Sequence, residues 1–423
     1  MNVVGTPLSD WLLRLETLSP QEIDLGLERV ERVRDRLALA PPDTVFHVAG
    51  TNGKGSSVAM LECLLQKSGA HVGSYTSPHI HRYNERIRID GSEASDEQIV
   101  AAFERIEAVR DNEPLTYFEY GTLAAMVVFA DTGIDTAILE VGMGGRLDAV
   151  NAIEPDAGLI TNIALDHCDW LGDNVESIAA EKAGIMRRDK PIIFGSRAVP
   201  DSIDAKAADV GAQLIVAGRD YDWSCDGERW SWQGLTHQLE GLAVPSLQGR
   251  HQIGNAAAVL ALVEAAGRGD LLCVEVVNAC FAQLRLDGRM QEIDEDVHWL
   301  LDVAHNPAAA KALAEALHAR AHAGQTVAIF AMLDDKDVTG VVAALADHVD
   351  HWIAVTADNP RAIAAGELAR RVANATNAAC LVAESLEAAI RHARELTTGA
   401  DRILVTGSFY LVGPVLTELY SRR

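Results

Sequence analysis

Seven consecutive residues, Gly50-Thr-Asn-Gly-Lys-Gly-Ser56, have the composition of a turn that binds phosphate. Their three glycines let several backbone N–H groups point toward one place, and the Lys54 ammonium adds a full positive charge. The turn departs from the strict phosphate-loop pattern, because Val48 stands where that pattern has Gly and because Gly55 separates Lys54 from Ser56. Glycine-rich turns are often only structural, but the lysine and the hydroxyl together favour phosphate as the ligand.

A strand and a helix are needed to hold this turn in place. The apolar run at 45–48 predicts a strand that ends at the turn, and the apolar residues between Ser56 and Lys67 recur at helical spacing. The N-terminus of such a helix carries a partial positive charge, which adds to that of Lys54. The sequence therefore predicts a strand, a phosphate-binding loop and a helix in this order.

Glu140 is a candidate metal ligand. It follows the apolar residues 136–139, which predict a buried strand. A buried carboxylate is costly unless it meets a cation or a strong hydrogen-bond donor, and the glycines that follow would let the backbone approach a ligand. A salt bridge from Glu140 to Arg146 is the competing explanation.

Three more residues could act at the same site. Ser77 follows a strand predicted at His71–Tyr75 and is a candidate hydroxyl ligand, although a serine before proline usually marks only a turn. His167 follows a strand predicted at Ala157–Ile163 and could offer a neutral imidazole, although an isolated histidine is more often structural. Lys182 would by default form a surface salt bridge, but burial near a metal would lower its pKa and free its amine for chemistry.

Other polar and aromatic residues could bind a substrate. Arg82 and Arg86 could meet anionic groups or pair with Glu85. Phe118 could stack on a flat ring or could equally be a core aromatic residue. Glu119 has no evident reason to lie on an apolar face, which leaves a binding role open.

The residues before the turn are too few for a separate domain. They include a helix predicted from Ile23 to Leu37. The segment Glu22–Arg29 at its start has an apolar ridge that plain packing explains at least as well as ligand binding.

Composition excludes several classes of function. A formal charge of -25 argues against a nucleic-acid partner, because few counterions would be released on binding. The six cysteines are scattered without a Cys-x-x-Cys pair, which predicts neither a zinc cluster nor a disulfide framework. Neither a signal-peptide pattern nor a run of about 18 apolar residues is present. We expect a cytoplasmic protein that binds neither nucleic acid nor membrane.

The length of 423 residues predicts two domains, both of the α/β class. We expect a P-loop-type doubly wound N-terminal domain at 1–286 and a smaller Rossmann-like C-terminal domain at 287–423. Tryptophans at 223, 230 and 232 indicate a hairpin at the edge of the first domain. From Trp299 to Thr406, strands and helices alternate again, which predicts the second sheet.

Polar residues also follow the first strand of this second domain. Asp302 and His305 lie where open α/β sheets bind ligands, although Pro307 could simply start a helix. In the first domain, Asn255 lies near the start of an Ala-rich helix, where its amide could reach a nucleotide.

Together these residues resemble the folylpolyglutamate synthase and dihydrofolate synthase family, within the wider Mur-ligase superfamily. The matching stretches span most of the chain in order: Gly50–Ser56, Thr76–His79 with Glu85–Arg88, Glu140–Asp148, Asp166-His167, Glu181–Gly184, Gly249–Gln252 and Leu301–Pro307. The resemblance also explains why the phosphate loop is not of the strict type.

The resemblance implies a role for each group of residues. Those expected to bind ATP are Thr51, Asn52, Gly53, Lys54, Gly55, Ser56, Asn255, Arg289, Asp302 and His305. Ser77, Glu140 and His167 would bind Mg²⁺; Lys182 would carry a carbamate, as N6-carboxylysine; and Lys54, Lys182 and His167 would be catalytic. Those expected to bind substrate are Glu22, Ile23, Asp24, Arg82, Thr116, Tyr117, Phe118, Glu119, Leu147, Asp148 and Ala149.

The activity implied is an ATP-dependent amide ligase. It would add L-glutamate to dihydropteroate, forming dihydrofolate, and further glutamates to reduced folates. ATP would convert the acceptor carboxylate to an acyl phosphate, and the glutamate amine would then attack it. Closure of the two domains over ATP would keep water from the acyl phosphate. Tail length and the preferred one-carbon form of the folate are not readable from the sequence; for the oligomeric state we take a monomer as the working expectation.

Three rival interpretations remain open at this point. A cell-wall Mur ligase needs an additional N-terminal domain, for which the residues before the turn leave no room. A nucleotide-dependent switch would hydrolyse ATP without forming a bond. A ligase that only lengthens folate tails is disfavoured by Asp24 and by Thr116–Glu119.

Overall fold

Strands and helices alternate along most of the computed structural model, which describes residues 7–18, 24–320 and 322–421. The strands are β1 (Thr44–Ala49), β2 (Val72–Tyr75), β3 (Ile87–Ile89), β4 (Ser92–Glu93), β5 (Thr136–Glu140), β6 (Ala157–Ile160), β7 (Pro191–Phe194), β8 (Gln213–Val216), β9 (Asp222–Cys225), β10 (Arg229–Gln233), β11 (Gln238–Ala243), β12 (Gln291–Asp294), β13 (His298–Asp302), β14 (Thr326–Phe330), β15 (His351–Ala354), β16 (Cys380–Val382) and β17 (Arg402–Thr406).

The α-helices are α1 (Leu8–Leu18), α2 (Glu28–Leu37), α3 (Lys54–Gln66), α4 (Asp96–Val109), α5 (Tyr117–Thr132), α6 (Cys168–Leu171), α7 (Val175–Lys182), α8 (Asp201–Val210), α9 (His251–Ala265), α10 (Val274–Phe281), α11 (Pro307–His318), α12 (Val338–Leu345), α13 (Ala365–Thr376), α14 (Leu386–Leu396) and α15 (Phe409–Ser421). Short 3-10 helices lie at Tyr83–Arg86, Ala149–Ala152, Ala183–Ile185, Gly269–Leu271 and Ala346–His348.

Contacts group the chain into two compact units. The first contains the residues up to Ile163, Asn174–Pro245 and Gly254–Leu284, and the second contains Ala164–Asp173, Ser246–Ile253 and the residues from Arg285 onward. The domain limits 1–286 and 287–423 stay a prediction.

The first unit is built on an eight-stranded sheet in the order β4-β3-β2-β5-β1-β6-β7-β8. The strands from β2 to β8 in this order are parallel, and β3 and β4 form an antiparallel edge. Strand β1 lies between β5 and β6: the chain passes from β1 to β2 on one side, and after β5 it crosses to β6 on the other side. The loop after β1 therefore lies at a switch point of the sheet, where α/β folds bind ligands.

A separate antiparallel sheet in the same unit has the order β11-β10-β9. It contains the predicted hairpin, since β9 and β10 are antiparallel with Trp223 opposite Trp232, and it adds β11, which pairs with β10 across an irregular register. Trp230 and Trp232 are buried, and their indole N–H groups donate to backbone carbonyls of Ala243 and Ala257.

The second unit contains a six-stranded sheet in the order β12-β13-β17-β14-β15-β16. Only β12 is antiparallel. Its core includes Leu300, Phe330, Trp352 and Leu404 from the strands. The two sheets and their helices confirm the predicted α/β fold class.

The predicted helix from Ile23 to Leu37 is wrong at its start. Residues Asp24–Leu27 have no helical structure, and α2 begins at Glu28. The Arg29 side chain binds the Asp24 carboxylate and backbone carbonyl, and so holds these residues outside the helix. In the described residues, no helix is both long enough and apolar enough to cross a membrane.

His47 is a fully buried histidine in the middle of β1. Neither ring nitrogen has a hydrogen-bond partner within the described part of the chain. Burial lowers the pKa of His47 from 6.5 to about 3, and the charge of Arg187 acts in the same direction. The imidazole is therefore neutral in the folded chain. Its ring nitrogens add little to stability, because they form no hydrogen bond within the described residues.

We expect His47 to reduce stability in acid. The unfolded chain takes up a proton on this side chain below its ordinary pKa of 6.5, whereas the folded chain does so only near about 3, so stability is lost as pH falls through this window. Relative to the native chain, a His47→Leu variant should gain about 1.4 kcal/mol of unfolding free energy per pH unit below about pH 6. Urea unfolding followed by tryptophan fluorescence measures the difference.

Phe46→Leu is the matched control, because Phe46 is an equally buried neighbour on β1 that carries no titratable group. Its effect on stability should be the same at each pH. Parallel stability curves for His47→Leu and the native chain would show that His47 does not titrate on unfolding as argued.

Candidate functional site

The loop after β1 is fixed by the tip of β6 and the residues that follow it. The Thr51 N–H donates to the Asn162 carbonyl at 2.9 Å, and the Asn52 N–H donates to Asn162 Oδ1 at 3.1 Å. In return, the Asn52 carbonyl accepts from the Thr161 hydroxyl at 2.7 Å and from Asn162 Nδ2 at 2.8 Å. This network fixes the peptide planes of the loop before it enters α3.

Two glycines of the loop allow close approaches that no other residue could make. A Cβ on Gly50 would lie 1.8 Å from Thr161 Oγ1, and its φ is +143°. A Cβ on Gly53 would lie 2.7 Å from Asn255 Oδ1, and its φ is +85°. The buried Asn255 amide therefore lies directly against the loop.

Lys54 and Lys182 converge on one carbonyl of this loop. Lys54 Nζ donates to the carbonyls of Gly50 at 3.2 Å and Thr51 at 3.3 Å. Lys182 Nζ donates to the Gly50 carbonyl at 3.0 Å. Lys182 is buried at the end of α7, so the expectation of a surface salt bridge is wrong for this residue.

The carboxylate of Glu140 is buried at the end of β5 and accepts from the Ser77 N–H at 3.2 Å. It also borders the loop, because a Cβ on Gly55 would lie 3.7 Å from Glu140 Oε2. The competing salt bridge is not formed, since the Arg146 guanidinium binds Glu181 at 2.8 Å instead. Glu140 and Ser77 are thus brought together beside the phosphate loop.

Asp148 is buried in the segment after β5. Its carboxylate accepts from the Met143 N–H at 2.8 Å and from the Val150 N–H at 3.0 Å. Burial raises the pKa of Asp148 to about 6, against the lowering effect of these backbone donors. Leu147 beside it is half-buried, and Ala149 is buried.

The residues at the start of α5 combine a helix cap with a half-buried aromatic surface. Thr116 and Glu119 form a capping box, in which the Thr116 N–H donates to Glu119 Oε2 at 2.7 Å. Phe118 packs against the backbone of Gly142, and its ring centroid lies 5.9 Å from that of Tyr75. Tyr117 and Phe118 are both half-buried, so Phe118 contributes to the core while keeping some exposed surface.

The two arginines after Ser77 have different surroundings. Arg82 pairs with Glu93 at 2.6 Å rather than with the side chain of Glu85, whose carboxylate accepts from the Arg82 N–H. Arg86 is buried over the rings of Tyr83 and Tyr117, at 5.3 Å and 5.4 Å from their centroids.

In the second unit, Asp302 ends β13 and accepts from the N–H groups of Met290 at 2.9 Å and Ala304 at 2.8 Å. Burial raises the pKa of Asp302, against the lowering effect of the nearby Arg289 guanidinium. Arg289 lies 5.1 Å from the ring of Phe409, and the His305 ring lies 5.8 Å from the same ring. The three predicted nucleotide-binding residues of this unit are therefore gathered at one end of its sheet.

His167 belongs to a buried ionic cluster in the second unit. Lys336 Nζ binds Asp166 Oδ1 at 2.6 Å and lies 3.1 Å from His167 Nε2. Asp166 also accepts from Asn306 Nδ2 at 3.0 Å and lies 3.5 Å from His305 Nε2. Burial acts to raise the pKa of Asp166, but the hydrogen bond and charge of His305 lower it well below its ordinary range.

Burial lowers the pKa of His167 to about 4, against the opposing charge of Asp166. Its imidazole is therefore neutral near pH 7, as a metal ligand must be. Nε2 lies beside the Lys336 ammonium, whereas Nδ1 has no hydrogen-bond partner in the residues described.

The first unit fits a magnesium ion in its donor chemistry. Glu140 and Ser77 provide oxygen atoms, which Mg²⁺ prefers, and they lie beside a loop suited to phosphate. Across the described residues, no group of three or more His, Cys, Asp and Glu side chains forms a metal cluster. That is compatible with Mg²⁺, which commonly keeps water and phosphate oxygens among its ligands.

Several residues that shape these sites were not predicted. Thr161 and Asn162 follow the β6 strand without a glycine or a charge to mark them, and Lys336 lies 170 residues from its partner Asp166. Arg29 lies in the segment Glu22–Arg29, whose pattern shows only an apolar ridge. Of the predicted substrate-binding residues, Glu22 and Ile23 lie outside the described residues.

Comparison with known proteins identifies related chains over nearly the full length. The family described as "Mur ligase middle domain" matches residues 48–263, and the one described as "Mur ligase, glutamate ligase domain" matches residues 288–409. The dihydrofolate synthase/folylpolyglutamate synthase of Escherichia coli (strain K12) is 40% identical over 420 residues, which are 99% of this chain and 97% of that protein.

Two solved structures show the same similarity. The E. coli protein in complex with DHPP and ADP has a TM-score of 0.93 and 40% sequence identity, with 99% of both chains covered. The bifunctional folylpolyglutamate synthase/dihydrofolate synthase of Yersinia pestis, complexed with AMPPNP and Mn ion, has a TM-score of 0.89 and 41% identity, with 98% of both chains covered.

Gly53→Ala tests whether the fit between the loop and Asn255 serves ligand binding. The new methyl group must displace the Asn255 amide, so we expect the KM for ATP to rise about tenfold or more. The variant also carries the strain of a left-handed alanine, about 1 kcal/mol. Steady-state kinetics with ATP as the varied substrate and thermal unfolding separate the two effects.

Gly69→Ala is the matched control, because Gly69 has a φ of +78° and no atom within 4 Å of its would-be Cβ. It should lose similar stability and keep its KM for ATP. An equal change of KM in both variants would mean that strain, and not the Asn255 contact, is responsible.

Proposed function

The chain belongs to the dihydrofolate synthase/folylpolyglutamate synthase family of the Mur ligases, and from this premise we propose which of its residues carry the reaction. It is an ATP-dependent carbon–nitrogen ligase that adds L-glutamate to dihydropteroate and then to reduced folates. The observation that supports the assignment best is the loop after β1, where Lys54, Asn255 and the α3 N-terminus converge.

Each unit contains residues that are proposed to bind ATP. In the first unit, the residues Thr51–Ser56 and Asn255 would bind the phosphates and the nucleotide, because backbone N–H groups and a lysine suit a polyanion. In the second unit, Arg289, Asp302 and His305 are proposed as further nucleotide contacts. Lys54 would offset the charge that builds up as the γ-phosphoryl group passes to the acceptor carboxylate.

The enzyme uses a divalent metal ion, for which we propose Mg²⁺ with Ser77 and Glu140 as protein ligands in the first unit. Such an ion neutralises charge on the transferred phosphoryl group. The neutral imidazole of His167 is proposed as a further ligand and catalytic residue. Lys182 is proposed to carry a carbamate and to act with Lys54.

Dihydropteroate is proposed to bind near the start of α5 and the segment after β5. Tyr117 and Phe118 offer half-buried rings to a flat pterin, and Asp148 is a buried carboxyl that could meet its polar edge. Asp24, Thr116, Glu119, Leu147 and Ala149 complete this proposed surface, with Arg82 available to an anionic group. Glu22 and Ile23 stay in the proposal on the resemblance alone.

We also propose that the enzyme works as a monomer in the cytoplasm. All six cysteines are free thiols, which suits a reducing compartment. Light scattering of the purified chain and fractionation of cells that produce it would test the two statements.

The proposed bifunctionality is tested by substrate omission. ADP release should require both a pterin acid and glutamate, and the products with dihydropteroate and with tetrahydrofolate should each be heavier by glutamate residues in mass spectrometry. Release of ADP without glutamate would indicate a nucleotide switch. Activity with tetrahydrofolate alone would reduce the function to tail lengthening.

Lys54→Ala tests the phosphate assignment. The loss of its charge at the transferred phosphoryl group should lower kcat by about a hundredfold or more, with little change in the circular dichroism spectrum. The exposed Lys67→Ala, beyond the end of α3, is the control and should keep wild-type turnover. Retained activity in Lys54→Ala would remove this residue from the catalytic machinery.

A further inference from the structure

Arg29 connects the two segments of the first unit to which dihydropteroate binding is assigned. Its Nη1 donates to Asp24 Oδ2 at 2.6 Å, and its Nη2 donates to the Asp24 carbonyl. Its Nε lies 2.9 Å from Glu119 Oε1 and 3.0 Å from Glu119 Oε2. One planar guanidinium thus holds the residues before α2 and the first turn of α5 in a fixed relation.

This bridge is more buried at one end than at the other. The side chain of Glu119 is 4% exposed and that of Arg29 is 14% exposed, whereas the Asp24 side chain is 42% exposed. Glu119 is also engaged in the cap of α5, since its carboxylate accepts from the Thr116 N–H. Its Oε2 is therefore occupied by the cap and by Arg29, whereas Oε1 lies beside Arg29 Nε without a hydrogen bond in the described residues.

The residues joined by the bridge are those that carry the substrate surface. Tyr117 and Phe118 lie between the two capping residues of α5, so their ring positions depend on the cap. Residues Asp24–Leu27 are not held by helical hydrogen bonds, and the described contacts of Arg29 with Asp24 fix their start. Among the described residues, no hydrogen bond or ion pair joins Arg29 to the phosphate loop, whose network runs through Thr161, Asn162 and Asn255.

We propose that Arg29 is a positioning residue for the dihydropteroate subsite. It holds Asp24, and with it the residues up to Leu27, in a fixed position relative to the capped start of α5. The inference rests on the proposed function, which places dihydropteroate at these two segments. Arg29 thereby controls the first glutamate addition more than the lengthening of reduced folates, and it acts through Asp24 and Glu119 without touching the substrate.

The experiment compares Arg29→Met, Arg29→Lys and Arg32→Met in the full-length chain. Arg29→Met keeps much of the apolar part of the side chain but loses the guanidinium that binds Asp24 and Glu119. The KM for dihydropteroate should rise about tenfold, because small misplacements of binding groups are costly. The kcat, the KM for ATP and the KM for tetrahydrofolate should each change by less than about twofold. Arg29→Lys keeps the charge and should restore part of the loss.

Arg32→Met is a closely matched control. Arg32 lies one turn further along α2 and binds Glu113, just before α5, at 2.7 Å and 2.9 Å. It therefore also ties α2 to the connection before α5, but it does not touch Asp24 or Glu119. Its kinetic constants for both acceptors should equal those of the native chain.

The outcomes separate this inference from the proposed function. If the native chain does not act on dihydropteroate, the proposed function is refuted, whatever the variants show. If the native chain uses both acceptors and Arg29→Met weakens dihydropteroate and tetrahydrofolate equally, or weakens neither, the positioning role is refuted. Because loss of Arg29 leaves the buried Glu119 without its cation, Arg29→Lys, which keeps a cation there but not the planar fork, provides the second variant should Arg29→Met unfold. A smaller but equally selective rise in KM is expected for it, and an unselective change overturns the proposal.

Discussion

The backbone shape between Gly50 and Gly53 is the constraint on which the proposed phosphate site depends. Strands β1 and β6 are paired in register, with Ala49 opposite Ile160, so their tips must meet. The residues after β6 then both accept hydrogen bonds from the loop and donate to it. Asn162 accepts from two N–H groups of the loop, and Thr161 and Asn162 both donate to the Asn52 carbonyl. Because these donors and acceptors satisfy one another, the loop is held in place before any ligand binds, which lowers the cost of binding.

The convergence of two lysines on this loop gives the proposed carbamate a physical reason. Lys54 and Lys182 both donate to the Gly50 carbonyl, and two ammonium groups so placed repel one another in a partly buried site. A bound polyphosphate offsets this repulsion. Conversion of Lys182 into a carbamate would remove this repulsion altogether and would add an anion beside the loop.

Much of the fold is readable from the sequence, because the larger elements follow strong periodic patterns. The helix predicted after the loop, from Ser56 to Lys67, is α3 (Lys54–Gln66), and the second sheet has the predicted run of strands from Trp299 to Thr406. The missed strands β3, β4 and β12 are short, antiparallel edges, with two to four residues each. Such strands have too few positions for an alternating pattern to stand out.

The partners of buried charges are less readable, because they come from distant parts of the chain. Glu119 illustrates the difference between a local partner and a distant one. Its bond to the Thr116 N–H follows from a local pattern, Thr-x-x-Glu before an apolar helix, that marks a capping box. Its bond to Arg29 spans 90 residues and has no local signal. When the local pattern explains only part of the bonding of a buried carboxylate, a distant cation is needed. Here that cation, Arg29, joins the two segments that are proposed to bind dihydropteroate.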